Sequence, residues 1–130
     1  MKWTALAAAL LALAACTPPV QTAAPACMAP LKPALQVDLY FGGIGEREWT
    51  AFLDEEVTPR FPDGLSVLDV RGQYRNQQGT IGREHAKLLV IVVFDAPAHA
   101  ARVQAIVDSY VRRYKQESVL RVERPVCAGL

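Results

Sequence analysis

The run Lys87-Leu88-Leu89-Val90-Ile91-Val92-Val93-Phe94 constrains the fold of this chain more than any other stretch. After Lys87 it has no polar position, so a strand built from it is apolar on both faces whichever way it is turned. Its β-branched content favours a strand over a buried helix turn. Such a strand belongs in the middle of a sheet, and the rest of the chain must supply its cover.

Around that run the hydrophobic period changes in an ordered way. Leu35, Val37, Leu39 and Phe41 alternate with Gln36, Asp38 and Tyr40, the period of a strand with one buried face. Gly42, Gly43 and Gly45 then break it. The sequence Gly-Gly-Ile-Gly-Glu lacks both the later glycine of a dinucleotide fingerprint and the Lys of a P-loop, which argues against phosphate binding. From Glu46 the period becomes helical, with Trp49, Phe52, Leu53 and Val57 on one stripe and Pro59 as the stop. Asp54, Glu55 and Glu56 are consecutive helical positions pointing in different directions, so they read as a solvated face. Thr58 to Leu65 forms a corner with two prolines and an Asp-Gly turn. It feeds a strand, Leu65 to Arg75, in which Leu68, Val70, Gly72 and Tyr74 share one face. Asn76 to Ala86 reads as either a hairpin arm or a mobile loop. A second helix opens at Asp95-Ala96-Pro97 and carries Val103, Ile106, Val107, Tyr110 and Tyr114, with a basic last turn suited to the helix dipole. Ser118 to Glu123 reads as a final strand with Leu120 and Val122 inward.

The order β-α-β-β-α-β is the α+β, ferredoxin-like arrangement: a four-stranded antiparallel sheet with both helices on one face and the first and third strands central. The other face is left open. The expected interface on that open face is Tyr40, Val67, Leu89, Ile91, Val93 and Val119, ringed by Asp38, Asp69, Arg71, Gln73, Lys87, Arg121 and Glu123. A bare apolar face marks a partner or ligand surface, here a second copy or another envelope protein.

The start of the chain bears on location. Lys2, the apolar run Ala5 to Ala15 and the small residues before Cys16 have the build of an export signal, and the run is too short to span a bilayer. Leu13-Ala14-Ala15-Cys16 resembles the lipobox of bacterial lipoproteins, whose cysteine receives a diacylglyceryl group. The resemblance implies a signal peptide over 1–15, lipidation at Cys16 and a membrane anchor through that lipid. The implied localisation is the cell envelope. Thr17 stands where an Asp would retain the protein at the inner membrane, so the expectation is the outer membrane, facing the periplasm. Residues 16–34, rich in Pro and Ala, read as a tether, and 35–130 as one domain. Cys27 and Cys127 remain for a disulfide in an oxidising compartment. Two free thiols or intermolecular pairing are the alternatives.

Charge and residue inventory narrow the chemistry. Fourteen Lys and Arg against 13 Asp and Glu give a formal net charge of +1, too little for the basic surface that nucleic acid requires. His85 and His99 are the only histidines. Neither has a second ligand at metal spacing, so no metal or cofactor is expected and both are read as solvent residues. Ser66, Ser109 and Ser118 lack a nucleophile elbow, and no catalytic residue is assigned. What remains is a polar group: Arg60, Gln73, Tyr74, Arg83, Glu84 and Lys87. It reads either as bracing, with Arg60 on a carboxylate and Glu84 on Lys87, or as an anion or polar-ligand site, since Arg offers a planar fork of donors.

Glu48-Trp49, the corner Thr58-Pro59-Arg60-Phe61-Pro62-Asp63-Gly64-Leu65, Gly72-Gln73-Tyr74-Arg75, Glu84 to Lys87 and Gln116 to Leu120 resemble a family of small bacterial envelope proteins filed as a domain of unknown function. The likeness spans Leu35 to Val122, and Ala86 stands where the pattern suggests Ser. It implies no established activity and transfers no catalytic residue. By topology the domain also looks like dimeric α+β barrel proteins, some of them oxygenases and others binders. A small-molecule binder or cofactor-free enzyme is therefore the alternative to a non-enzymatic interaction module.

Overall fold

The computed structural model describes residues 26–130. The expected signal peptide, Cys16 and the tether up to residue 25 lie outside the described residues. The elements are β1 (Lys32–Gly42), α1 (Glu46–Phe52) continued by a π-helical turn (Leu53–Val57), β2 (Ser66–Arg75), β3 (Ile81–Val93), α2 (His99–Tyr114) and β4 (Leu120–Ala128). The strands form one antiparallel sheet in the order β2-β3-β1-β4. This is the ferredoxin-like α+β fold, with the doubly apolar β3 and the alternating β1 at its centre.

The core lies between the sheet and the helices. Val37, Leu39 and Phe41 of β1 pack there with Trp49, Phe52 and Val57, and with Val103, Ile106 and Tyr110 of α2. Phe41, Phe52 and Tyr110 form an edge-to-face cluster, with ring centroids 4.6 Å apart for Phe41 and Tyr110 and 5.1 Å apart for Phe52 and Tyr110. The π-helical turn, closed by Thr58 N–H donating to Leu53 O at 2.9 Å, serves this packing. An α-helix would carry Val57 about 140° round from Phe52; the wider turn brings it back over the core, where it is fully buried. At the corner, Arg102 lies 4.6 Å over the Phe61 ring and donates to Arg60 O at 3.1 Å.

Three boundaries differ from the sequence reading. β1 begins at Lys32, inside the expected tether, because β4 runs on to Ala128 and pairs Lys32 with Ala128 and Pro33 with Cys127. The Cys27–Cys127 disulfide, with Cα atoms 5.6 Å apart, fastens the segment before β1 to that strand end. It closes a separation of 100 residues, for which chain entropy sets a ceiling of about 4.7 kcal/mol. Pro125 is tolerated because β4 is an edge strand. Asn76 to Ala86 is a hairpin arm rather than a loop: β3 starts at Ile81, and Thr80 N–H donates to Asn76 Oδ1 at 2.9 Å across the turn.

The assignment of faces requires a larger correction. Residues directly opposite in an antiparallel pair share a side of the sheet. Leu39 stands opposite Leu89, Val37 opposite Ile91 and Leu35 opposite Val93. Leu89, Ile91 and Val93 are therefore core residues under the helices, 0, 1 and 5 % exposed, and not interface residues. Val67, opposite Leu89, and Val119 also pack against the core. Of the expected interface only Tyr40 faces outward. A strand apolar at every position carries no record of its own facing, so pairing with β1 decides it. The polar ring splits in the same way: Asp38 is on the open face, while Asp69, Arg71, Gln73, Lys87, Arg121 and Glu123 take helix-side register positions. Leu68, Val70, Leu120 and Val122 face outward, opposite to the inward reading of β4.

Candidate functional site

The open face is apolar across all four strands. β2 contributes Leu68, Val70 and Tyr74; β3 contributes Leu88, Val90 and Val92; β1 contributes Tyr40; and β4 contributes Leu120 and Val122. Leu120 is 61 % and Leu68 48 % exposed, and both stand on edge strands of the sheet. Charged residues on this face include Glu84 toward one end, Arg124, and Asp38, which is only 3 % exposed. It accepts a hydrogen bond from Gln36 Nε2 at 2.8 Å and is ion-paired with Arg124. A carboxylate so withdrawn from water needs such partners, and with them it presents little net charge to anything laid on the face.

At one end of this face the sheet curls into a cleft of about 330 Å³. The β2–β3 hairpin reaches past the end of β1 and meets the α2–β4 connection, where Gln77 N–H donates to Glu117 Oε1 at 3.4 Å. Lys115 ends α2 in the left-handed conformation, φ 54°, which turns Gln116, Glu117 and Ser118 toward the cleft. Tyr74 lies across Gly82, whose absent Cβ would stand 3.3 Å from the ring. Gly42 makes room for Glu84: a Cβ there would fall 2.0 Å from Glu84 Oε1. Tyr110 donates its hydroxyl to Gly42 O at 2.6 Å and fixes the floor from the core side.

Glu84 is the chemically distinctive group of the cleft. Burial holds its carboxyl above the usual range, and its charge, after burial, also raises the Tyr110 phenol. No hydrogen bond or ion pair reaches it among the described residues.

The structure divides the polar group singled out in the sequence. Gln73, Tyr74 and Glu84 line the cleft. Arg60 is at the corner, bracing Glu56 through its carboxylate at 2.9 Å and its carbonyl at 2.6 Å. Lys87 does not pair with Glu84. It alternates to the helix side, where the hydrogen bonds it donates to Asp69 and Glu46 raise its pKa. Arg83, opposite Gln73 on the hairpin arm, is exposed and not part of the cleft lining. Arg60, Lys87 and Arg83 therefore do not join Glu84 in the cleft, and the one Lys or Arg on its lining is Arg71, at a helix-side register position opposite His85. His99, expected at the surface, is 3 % exposed, and its Nε2 lies 3.2 Å from Glu123 Oε1. The sequence reading missed Gly42, Gln116 and Glu117, for which the glycine run and the end of the α2 periodicity were the available signals. A broader depression of about 750 Å³ at the opposite end includes Phe61, Asp95 and Arg102. There Arg102 is already held by Asp95 and Arg60 O. No cluster of three or more metal-ligating side chains occurs among the described residues.

Residues 36–130 match the family described as "Protein of unknown function (DUF3574)". The chain belongs to this family. The corner and the other motifs of the sequence resemblance fall within the matched span. No curated protein matches the chain. Among solved structures, it is similar to a phage SAM lyase in complex with S-methyl-5'-thioadenosine, with TM-score 0.59 and 16 % identity over 75 % of this chain and 90 % of that one. It is also similar to CutA from Synechococcus elongatus PCC7942, with TM-score 0.52 and 15 % identity over 77 % and 86 %. CutA1 from Oryza sativa gives TM-score 0.51 and 11 % identity over 77 % and 85 %. At these identities the likeness is one of fold.

Proposed function

We propose that this family member is a lipid-anchored protein of the bacterial envelope whose domain is a non-enzymatic interaction module, pairing through its open sheet face with a second copy of itself. The observation that carries this reading is the uncovered apolar face spanning all four strands, with its central charge neutralised internally by Arg124 and Gln36. A two-fold pair needs one patch that complements itself. An apolar sheet without unpaired charge at its centre meets that need, and sheets stack face to face about 10 Å apart. The Leu13-Ala14-Ala15-Cys16 resemblance supports the anchor, placed at the outer membrane facing the periplasm, and the Cys27–Cys127 disulfide agrees with an oxidising compartment.

Sedimentation of residues 26–130, which hold all the described strands and helices and both disulfide cysteines, tests the pairing. The expected result is a dimer at micromolar concentration that Leu68→Asp converts to a monomer. A wild-type monomer throughout would overturn it. Mass spectrometry of the membrane-extracted protein tests the anchor, with a diacylglyceryl group on Cys16 expected.

A second reading draws on Glu84. A carboxylate drawn partly out of water in a cleft, with no partner, is the mark of a small-molecule site, as a binder or cofactor-free enzyme would have. A thermal-shift screen of small metabolites should then show stabilisation that Tyr74→Ala removes.

A further inference from the structure

Resting on that second reading, we propose that the cleft at the end of the open face takes a small organic cation, an ammonium group carrying an apolar body, with Glu84 as its counter-ion. The carboxylate is already in place: Gly42 leaves the space it occupies, and a Cβ at Gly43, φ 71°, would lie 3.2 Å from Oε2 and 3.4 Å from the Gln116 amide nitrogen. No cation of the chain is bonded to Glu84 among the described residues. Lys87 sits on the other side of the sheet with Asp69 and Glu46, and Arg60 is held at the corner by Glu56. A partly desolvated carboxylate in this state gains most from a positive N–H donor, because a charged pair in reduced dielectric is worth more than the same pair in water.

The rest of the lining suits the apolar body. Val70, Ala86 and Leu120 supply aliphatic surface, and Tyr40 and Tyr74 supply aromatic surface on which a cation is also favoured. About 330 Å³ is the lower end of the range for small-molecule sites. Glu84 and Glu117 at the rim disfavour an anionic ligand, and Arg71, the one Lys or Arg on the lining, stands at a helix-side register position opposite His85.

Three probes of one shape and different charge decide the matter: benzylamine, benzyl alcohol and benzoate, titrated into residues 26–130 and followed by backbone amide NMR. Benzylamine should give saturable shifts at Gly42, Gly43, Gly82 and Gln116, at least about tenfold tighter than benzyl alcohol, with no saturation by benzoate. Glu84→Gln keeps the side-chain shape and should weaken benzylamine binding about tenfold while the remaining spectrum reports an intact fold. Equal binding of benzyl alcohol or benzoate, or a Glu84→Gln protein that binds benzylamine unchanged, would overturn the cation assignment while leaving a small-molecule site in place. Saturation by none of the three would remove both.

Discussion

Leu39 of β1 stands directly opposite Leu89 of β3, and both are fully buried. That one pairing fixes which way every residue of the doubly apolar strand points, and through the β2–β3 register it fixes β2 as well. Alternate residues of β3 therefore have opposite roles. Leu89→Asp would place an unpaired charge in the core, and equilibrium urea unfolding should show a loss of more than about 4 kcal/mol or no folded protein. Val92→Asp, on the open face, should leave the unfolding free energy of the monomer within about 1 kcal/mol of wild type.

Gly42 and Glu84 can be tested as a pair. Because the atom that a Cβ at position 42 would strike is the far end of a flexible side chain, Gly42→Ala should displace Glu84 rather than break the sheet. The cost should be about 1 kcal/mol or less, and it should shrink in a Glu84→Ala background. A double-mutant cycle by chemical denaturation measures the coupling; additive effects would mean that the two positions do not meet.

Two carboxylates should give opposite pH signatures. Burial raises Glu84 above 4.5, so the folded state binds its proton more tightly than the unfolded chain. The stability this confers is present below pH 4.5 and lost as pH rises through the folded value. Glu84→Gln should then raise the Tm at pH 7, by about 1–3 °C for so partly solvated a group, with the gain vanishing in acid. Burial also raises Glu123, but hydrogen bonds from Arg121 and His99 outweigh it and leave its pKa below 4.5. Its contribution is present above pH 4.5 and lost as pH falls through the folded value. Glu123→Gln should lower the Tm at pH 7, and the difference should close on acidification. Thermal unfolding followed from pH 3 to pH 8 checks both.

The order of elements was legible because β1, α1 and α2 each carry a clean period, and Phe41, Trp49, Phe52 and Tyr110 fall in the core where those periods place them. The Cys27–Cys127 pairing was legible from residue count and setting. The facing of β3 was not, since Leu88 and Leu89 are chemically alike and only the register with Leu39 separates them. Of the candidate site, Gln73, Tyr74 and Glu84 were found, but their company was misjudged. Lys87 lies three residues from Glu84, and an odd offset along a strand puts the two side chains on opposite faces. Gln116 and Glu117 reach the cleft only because α2 ends in a left-handed residue at Lys115, a long-range closure that no local pattern records.

The pairing of open faces is tested most directly by photo-crosslinking in solution at micromolar concentration, with a photoreactive residue at position 120 on the open face or at position 50 on the exposed side of α1. Position 120 should yield a covalent dimer joined to the open face of the second copy, and position 50 should yield none. A protein that crosslinks to no second copy from position 120, or equally well from both positions, would contradict the account.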